Sequence, residues 1–128
     1  MEKLGPDTNA LNWFEIPVHD MPRAQTFYET IFEVQLTVMN LADRQMCLFP
    51  SQVPKIGGAI VKSPIHHPSR GGTILYLNAN PDLKLVLNRI EAAGGKIIMP
   101  KTNIGNGLGY MAYFVDTEGN MLALHSGA

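Results

Sequence analysis

The side chains of this sequence that bind metals or transfer protons are few and widely spaced. The candidates are one glutamate in an apolar strand, Glu15, and the four histidines His19, His66, His67 and His125. A catalytic metal needs two or three nitrogen, oxygen or sulfur donors that converge on one point. His66 and His67 are adjacent in a proline-flanked loop, so one strand face cannot present both, and we predict a solvated loop. His19 follows the first strand beside a helix cap and is predicted to be exposed.

The single cysteine and a glycine-rich loop carry weaker signals. No neighbouring base or helix terminus activates Cys47, so we predict a half-buried strand residue rather than a nucleophile. One cysteine cannot form an internal disulfide, which is typical of a reducing compartment. Residues 101–109 lack the Gly-Lys-Ser/Thr ending of a phosphate-binding loop. We predict that this loop covers a binding site as a lid and that Lys101 is solvated, with an anionic ligand as its alternative partner.

The elements that position these residues occur in the same order twice. Residues 12–18 alternate apolar and other side chains with the period of two that a half-buried strand has. Asp20 is predicted to cap the following helix, with Pro22 in its first turn. Residues 73–78 predict a second such strand, followed by Asn80 as cap, Pro81 as the first helical residue and Gly94-Gly95 as the helix end.

Three further strands are predicted after each helix. They span residues 35–41, 45–49 and 57–62 in the first half, and 96–99, 109–115 and 121–125 in the second. A tight turn at residues 116–120 requires positive φ at Gly119. The pattern predicts an α+β fold with helices on one side and a partly closed apolar concavity on the other. The alternative is a plain α+β sandwich without a cavity.

Length and composition limit the function classes. The 128 residues fit one domain at 11–126, with an N-terminal extension at 1–10, modules at 11–62 and 73–126, and a linker at 63–72. A formal net charge of −1 with interspersed signs disfavours a nucleic-acid surface. No apolar run is long enough to span a bilayer, and residues 1–9 lack the apolar region of a signal peptide. We therefore predict a cytoplasmic protein that binds neither nucleic acid nor membrane.

Several segments carry a family resemblance. They are residues 13–20, Arg23-Ala24 with Phe27-Tyr28, residues 57–59, and residues 109–116 running into Glu118-Gly119-Asn120. These segments resemble the vicinal oxygen chelate superfamily, which includes glyoxalase I, bleomycin resistance proteins, fosfomycin-modifying enzymes and extradiol dioxygenases. The nearest branch is that of predicted enzymes related to lactoylglutathione lyase. The resemblance covers roughly residues 11–126 and implies paired βαβββ modules that curve into a cup.

The sequence departs from this superfamily at the metal site. The resemblance implies four cup-lining ligands of His, Gln or Glu type. By position they fall at Trp13, near Ala59, at Gly72 or Thr73, and at Ala123, and none of these is a usable ligand. We therefore expect no catalytic metal and no other cofactor. The alternative is a displaced metal site formed by Glu15 and His125 across the cup.

Strand parity counted from these positions predicts the side chains that line the cup. They are Trp13, Glu15, Pro17, Ile74, Tyr76, Asn78, Met121, Ala123 and His125, to which the family register adds Met111 and Tyr113. On the third strand either Met46 or Cys47 faces the cup. An aromatic and thioether-lined pocket of this kind suits a flat or amphipathic small molecule. The alternative is that these side chains fill the cup completely.

Glu15 is the one candidate catalytic residue. A carboxylate beside Trp13 in an apolar cup is expected to have a raised pKa, as a proton-transfer base requires. The alternative is a structural glutamate that pairs with an arginine, a backbone N–H or water.

The sequence therefore predicts a metal-free, glyoxalase/bleomycin-resistance-like domain that binds a small organic molecule in its cup. One alternative is a lyase or isomerase related to glyoxalase I, with Glu15 as base and the metal absent or displaced. Another is a subunit with a filled cup that binds a partner protein. The resemblance also implies a homodimer, in which the pocket often lies between the two chains.

Overall fold

The chain forms the same succession of elements twice, in two four-stranded sheets. The computed structural model describes residues 3–128, so the first two residues of the predicted N-terminal extension lie outside the described residues. The first module consists of β1 (Trp13–Pro17), α1 (Met21–Phe32), β2 (Thr37–Val38), β3 (Gln45–Leu48) and β4 (Gly57–Lys62). The second consists of β5 (Tyr76–Asn78), α2 (Lys84–Ile90), β6 (Lys96–Asn103), β7 (Tyr110–Val115) and β8 (Met121–Ser126). The predicted repeat is confirmed.

The two sheets have equivalent topologies. Their strand orders are β1-β4-β3-β2 and β5-β8-β7-β6. The first strand of each module runs parallel to the last, and the other pairs are antiparallel. β1 and β5 are therefore edge strands. The predicted α+β class, with sheets that curve like a cup and do not close, is confirmed.

Helix α1 forms as its sequence predicts. The Asp20 carboxylate accepts a hydrogen bond from the Arg23 N–H at 3.0 Å, and Pro22 lies in the first turn. Met21, Ala24, Phe27, Tyr28 and Ile31 form the buried face. This face packs into the core because it is a continuous apolar stripe on one side of the helix.

Helix α2 begins later than predicted, at Lys84. The Asn80 side chain does not cap it, because its oxygen accepts a hydrogen bond from the Gly127 N–H at 2.8 Å. The Leu83 N–H donates to the Ser126 hydroxyl at 2.9 Å. The C-terminal end of the chain thus holds the segment that precedes α2, and the prediction of Asn80 as cap and Pro81 as first helical residue is wrong.

Three strands also differ in length from the prediction. The strand predicted at residues 35–41 is reduced to Thr37–Val38, and β5 begins at Tyr76 rather than Thr73. β6 continues through Pro100 to Asn103, with register shifts between Ile97 and Met99 and between Met99 and Thr102. Proline cannot donate to a ladder, so the strand passes it with irregular pairing instead of ending there.

One buried core joins the two helices and the side of both sheets that faces them. The ring of Phe27 on α1 lies 6.2 Å from that of Phe114 on β7, so α1 contacts both modules. Cys47 is buried in this core, deeper than predicted, and burial raises the pKa of its thiol. Met46, Ala59 and Val61 form a small cluster on the opposite side, which we call the cup side. Met46, not Cys47, therefore faces the cup.

Within residues 3–128, neither helix has the length and hydropathy of a transmembrane segment.

Candidate functional site

A pocket of about 300 Å³ opens along β1, between the two modules. The β1 residues 13–17 form one wall, and Thr73 and Leu75, which precede β5, form another. Met121 at the start of β8 and the linker residues His67 and Ser69 complete the lining. The pocket therefore lies where the edge strands of the two sheets approach each other, with the linker along its side.

Glu15 is the centre of the polar interactions in this pocket. Its Oε1 lies 2.8 Å from Nε2 of His66, and its Oε2 accepts a hydrogen bond from the indole N–H of Trp13 at 3.3 Å. The other ring nitrogen of His66, Nδ1, contacts the Ser63 hydroxyl. This chain of contacts attaches the linker to β1. The Glu15 side chain remains 29% exposed.

The electrostatics of Glu15 are opposite to those expected from the sequence. The hydrogen bond from His66 lowers the pKa of the Glu15 carboxyl, and this effect outweighs burial, which raises it. The Trp13 N–H lowers the pKa further. The prediction of a raised pKa is wrong, because two donors stabilise the carboxylate. Glu15 is therefore ionised at neutral pH and is a weaker proton acceptor than an unperturbed glutamate.

The two neighbouring linker histidines have different environments. The His66 side chain is only 10% exposed, so the prediction of a solvated loop is wrong for this residue. His67 is exposed at the pocket rim, as predicted, and so is His19 beyond β1. Sequence analysis missed the role of His66, although Ser63, three residues earlier, has the spacing at which a hydroxyl contacts a ring nitrogen locally.

A second group of predicted residues lies on the cup side of the second module. The hydroxyls of Tyr76 and Tyr113 are 2.7 Å apart, and the Tyr76 hydroxyl lies 3.9 Å from the sulfur of Met111. This hydrogen bond raises the pKa of Tyr76. His125 donates from Nε2 to the backbone oxygen of Leu108 at 2.7 Å. These side chains bond to each other or to the nearby loop.

The structure thus divides the predicted cup-lining residues into two groups. Trp13, Glu15, Pro17 and Met121 line the pocket along β1. Ile74 is half-buried in the segment before β5, and the register places Tyr76, Met111, Tyr113 and His125 on the cup side of the second module. That these residues bind a ligand stays a prediction.

The contacts of Lys101 and of the loop after it are not those predicted from the sequence. The Lys101 ammonium lies 3.0 Å from an Asp82 carboxylate oxygen and 4.5 Å from the centre of the Tyr110 ring. The side chain is therefore neither solvated nor free for an anionic ligand. Residues 104–109 contact His125 through Leu108, whereas the pocket along β1 is lined by other segments.

The residues present do not fit the divalent metal that the resemblance implies. Trp13 offers an indole, and Ala59 and Ala123 offer only buried methyl groups. At the third position Gly72 has no side chain and Thr73 has a neutral hydroxyl. The alternative, a displaced metal site formed by Glu15 and His125, is not assembled. Glu15 bonds to His66 instead, and His125 bonds to Leu108. Over residues 3–128 no three His, Cys, Asp or Glu side chains form a group that holds a metal.

Much of the family resemblance maps to the turn at residues 116–120, which we call the joint. The Glu118 carboxylate has no exposed surface and accepts hydrogen bonds from the N–H groups of His19 and Asp20, both at 2.8 Å. It also pairs with the Arg23 guanidinium at 2.7 Å and 3.1 Å. Burial raises the pKa of Glu118, but these donors outweigh it and lower the pKa to about 2. The joint thus binds the N-terminus of α1.

The other side chains of the joint reach β1 and the linker. The Tyr28 hydroxyl donates to Asp116 at 2.7 Å, and burial raises the pKa of this tyrosine. The Asn120 amide donates to the backbone oxygen of Pro17 at 2.7 Å, and its oxygen accepts from the Ser69 N–H at 3.0 Å. The joint therefore helps to position β1 and the linker, both of which line the pocket.

Two βαβββ modules around a cup define the architecture of the vicinal oxygen chelate proteins. The chain belongs to the Glyoxalase/Bleomycin resistance protein/Dioxygenase superfamily, whose family model matches residues 10–124. Comparison with curated protein sequences gives no match.

Solved structures share the fold at low sequence identity. TnmS3, an antibiotic binding protein from Streptomyces sp. CB03234, aligns with a TM-score of 0.67 at 19% identity, over 97% of this chain and 100% of that one. A glyoxalase/bleomycin resistance protein from Albidiferax ferrireducens T118 gives 0.67 at 18% identity, over 92% and 98%. A V278E mutant of glyoxalase I from Zea mays gives 0.69 at 16% identity, over 91% of this chain but 45% of that longer one.

Proposed function

We propose that this protein binds a small organic molecule in the pocket beside Trp13, without a divalent metal. The observation that carries the proposal is that the expected metal-binding positions of the cup lack donor side chains, while the pocket has side chains that suit an organic molecule. The four metal positions hold Trp, Ala, Gly or Thr, and Ala, whereas the pocket of about 300 Å³ holds an exposed indole and a carboxylate. This volume is at the lower end of the range for small-molecule sites.

The lining of the pocket supports a flat or amphipathic ligand. Trp13, Leu75 and Met121 offer apolar surface on which a ring packs. Glu15 and Thr73 add polar groups that orient a ligand. TnmS3, which has this fold, is an antibiotic binding protein, and binding of a small organic molecule is therefore one function that the fold accommodates.

The electrostatics of Glu15 favour binding over proton transfer. The alternative function is a glyoxalase-related lyase or isomerase in which Glu15 acts as base. A general base works best when its pKa lies near the operating pH, whereas the bond from His66 lowers the pKa of Glu15. The third alternative, a filled cup that serves a partner protein, is disfavoured by the open pocket along β1.

We also propose that the protein is a homodimer. Tyr76 on the cup side of the second module is 47% exposed and does not line the pocket along β1, and a second chain that covers this part of the cup side would bury such apolar surface. Sedimentation at micromolar concentration tests this part alone. A mass of two chains supports it and a mass of one chain contradicts it.

The binding proposal is tested through the single tryptophan. Because the sequence has one Trp, the indole N–H gives one NMR resonance, and this resonance belongs to the pocket. We expect members of a library of aromatic small molecules to move it saturably in the presence of EDTA. A ligand at one hundred times its Kd should also stabilise the protein by about 2.7 kcal/mol.

The control variant is Glu91→Gln, an exposed change at the end of α2, which should bind the same molecules equally well. A library that leaves the indole resonance unmoved, or that moves it only after a divalent metal is added, would contradict the proposal.

A further inference from the structure

We propose that the pocket beside Trp13 selects organic cations, with the Glu15 carboxylate as counter-charge and the Trp13 ring as the surface on which the cation rests. The inference rests on the proposed function, because it names the ligand class of the same pocket. It follows from the charge of the lining, the position of the indole and the apolar surface opposite them.

The first observation is the net charge around Glu15. Among the described residues that line the pocket, Glu15 is the one that carries a formal charge when His67 is neutral. Arg44, which lies close enough to lower the pKa of Glu15, pairs with Asp43 at 3.1 Å. The charge of Glu15 is therefore not cancelled by a lysine or arginine in contact with it.

The second observation is the set of hydrogen bonds around His66. Its Nε2 lies 2.8 Å from the Glu15 carboxylate and its Nδ1 contacts the Ser63 hydroxyl, which also accepts the Ile65 N–H at 3.2 Å. In the Nε2–H tautomer of the imidazole, Nε2–H donates to the carboxylate and the hydroxyl proton donates to Nδ1, so every group of this network is paired. His66 in this tautomer orients Glu15 and leaves its negative charge in place.

The third observation is the position of the indole. A Cβ built on Gly57, the cross-strand partner of Trp13, would lie 3.0 Å from Cζ3 of the ring, so the indole rests closely over this glycine. The N–H points to Glu15 at 3.3 Å. The ring is therefore held from one side and by its edge, with 43% of the residue exposed. A cation on an exposed Trp face is attracted by the ring, and the adjacent carboxylate adds to this attraction.

The fourth observation is the wall that receives the rest of the ligand. Leu75 and Met121 are apolar and line the same pocket. A cation that carries a ring or an alkyl group can therefore place its charge near Glu15 and its carbon surface against this wall. A small inorganic cation lacks this second contact.

The experiment titrates three probes of equal size and different charge: benzylammonium, benzyl alcohol and benzoate. Each is followed at the Trp13 indole resonance in the whole protein, with EDTA present. We expect benzylammonium to bind roughly tenfold more tightly than benzyl alcohol, which corresponds to about 1.4 kcal/mol, and benzoate to bind more weakly than either. Glu15→Gln, which keeps size and an acceptor oxygen, should remove the preference while benzyl alcohol binds as before.

Glu91→Gln changes the net charge of the protein by the same amount at an exposed site, and it should keep the preference. If benzyl alcohol or benzoate binds as tightly as benzylammonium, or if Glu15→Gln keeps the preference, the cation proposal is overturned and the binding function stands. If no probe moves the resonance while other library members do, the cation proposal is again overturned alone. If nothing in the library moves it, both proposals are overturned.

Discussion

Two glutamates in this protein show how differently one residue type is used in the joint and in the pocket. Glu118 in the joint is fully buried and accepts bonds from two backbone N–H groups and the Arg23 guanidinium. Glu15 in the pocket accepts two side-chain bonds and keeps 29% of its side chain exposed. The acceptor capacity of Glu118 is used within the protein, whereas Glu15 retains room for a ligand.

A comparison of the joint with the pocket shows which of their residues carry the family resemblance. Asp20, Tyr28, Asp116, Glu118 and Asn120 all take part in the joint or in the helix start that it binds. The pocket depends on Trp13 and Glu15, which lie in a resembling segment, and on His66, which lies outside all of them. The resemblance therefore covers these side chains of the joint but only part of the network around Glu15.

The largest expected effect is that of Glu118→Gln, which tests whether the joint is structural. A carboxyl whose pKa falls from 4.5 to about 2 contributes about 3 kcal/mol of stability at neutral pH. We expect a loss of about this size in urea unfolding at pH 7. Since the folded-state pKa is depressed, the contribution is complete above the unfolded value of 4.5 and is lost as the pH falls towards 2. Variant and wild type should therefore converge in acid, and a difference that is constant with pH would contradict this origin.

Gly57 and Gly58, which are adjacent on β4, test the difference between the core side and the cup side of this strand. A Cβ on Gly58 would overlap the Phe14 ring, so Gly58→Ala should cost about 1–3 kcal/mol in urea unfolding. A Cβ on Gly57 would meet the Ser51 hydroxyl at 2.6 Å and the indole of Trp13 at 3.0 Å. Both groups lie at an open surface, so Gly57→Ala should cost less than Gly58→Ala but move the indole resonance. Equal costs would show that the pocket side has no spare room.

Two tyrosines test the difference between the joint and the cup side, because each makes a hydrogen bond through its hydroxyl. Tyr28 and Tyr113 each make a hydrogen bond of 2.7 Å, the first buried in the joint and the second on the cup side. Tyr28→Phe leaves Asp116 without one buried donor and should cost about 1–2 kcal/mol. Tyr113→Phe should change stability by less than about 0.5 kcal/mol. Thermal unfolding of both variants measures the difference, and a larger loss for Tyr113→Phe would reverse our assignment.

Glu15→Gln should also have a small effect on stability. Because the side chain is partly exposed, the change should be within about 1 kcal/mol. Its effect on titration should be clear, however. In the wild type the indole resonance should titrate with a midpoint below 4.5, because the bond from His66 lowers the pKa of Glu15, and the variant should lack this step. A midpoint above 4.5 would support the expectation of a raised pKa and with it the catalytic alternative.

Features that depend on contacts between residues close together in the sequence could be predicted, and features that depend on contacts between distant residues could not. The start of α1 was predictable because Asp20 and Arg23 are three residues apart, and strand alternation placed Trp13 and Glu15 correctly on one face. The start of α2 was not predictable, because Asn80 bonds to Gly127, 47 residues away. The state of Glu15 was missed for the same reason, since its partner His66 is 51 residues away.

The most direct test of the central claim is the metal content of the protein after equilibration with zinc, nickel, manganese or ferrous iron. We expect no stoichiometric metal after removal of the excess, because the donor positions of the cup hold Trp13, Ala59, Gly72 or Thr73, and Ala123. We also expect ligands of the Trp13 pocket to bind equally well with EDTA present. One metal ion per chain, lost in Glu15→Gln or His125→Gln, would contradict this account and make a displaced catalytic site the correct one.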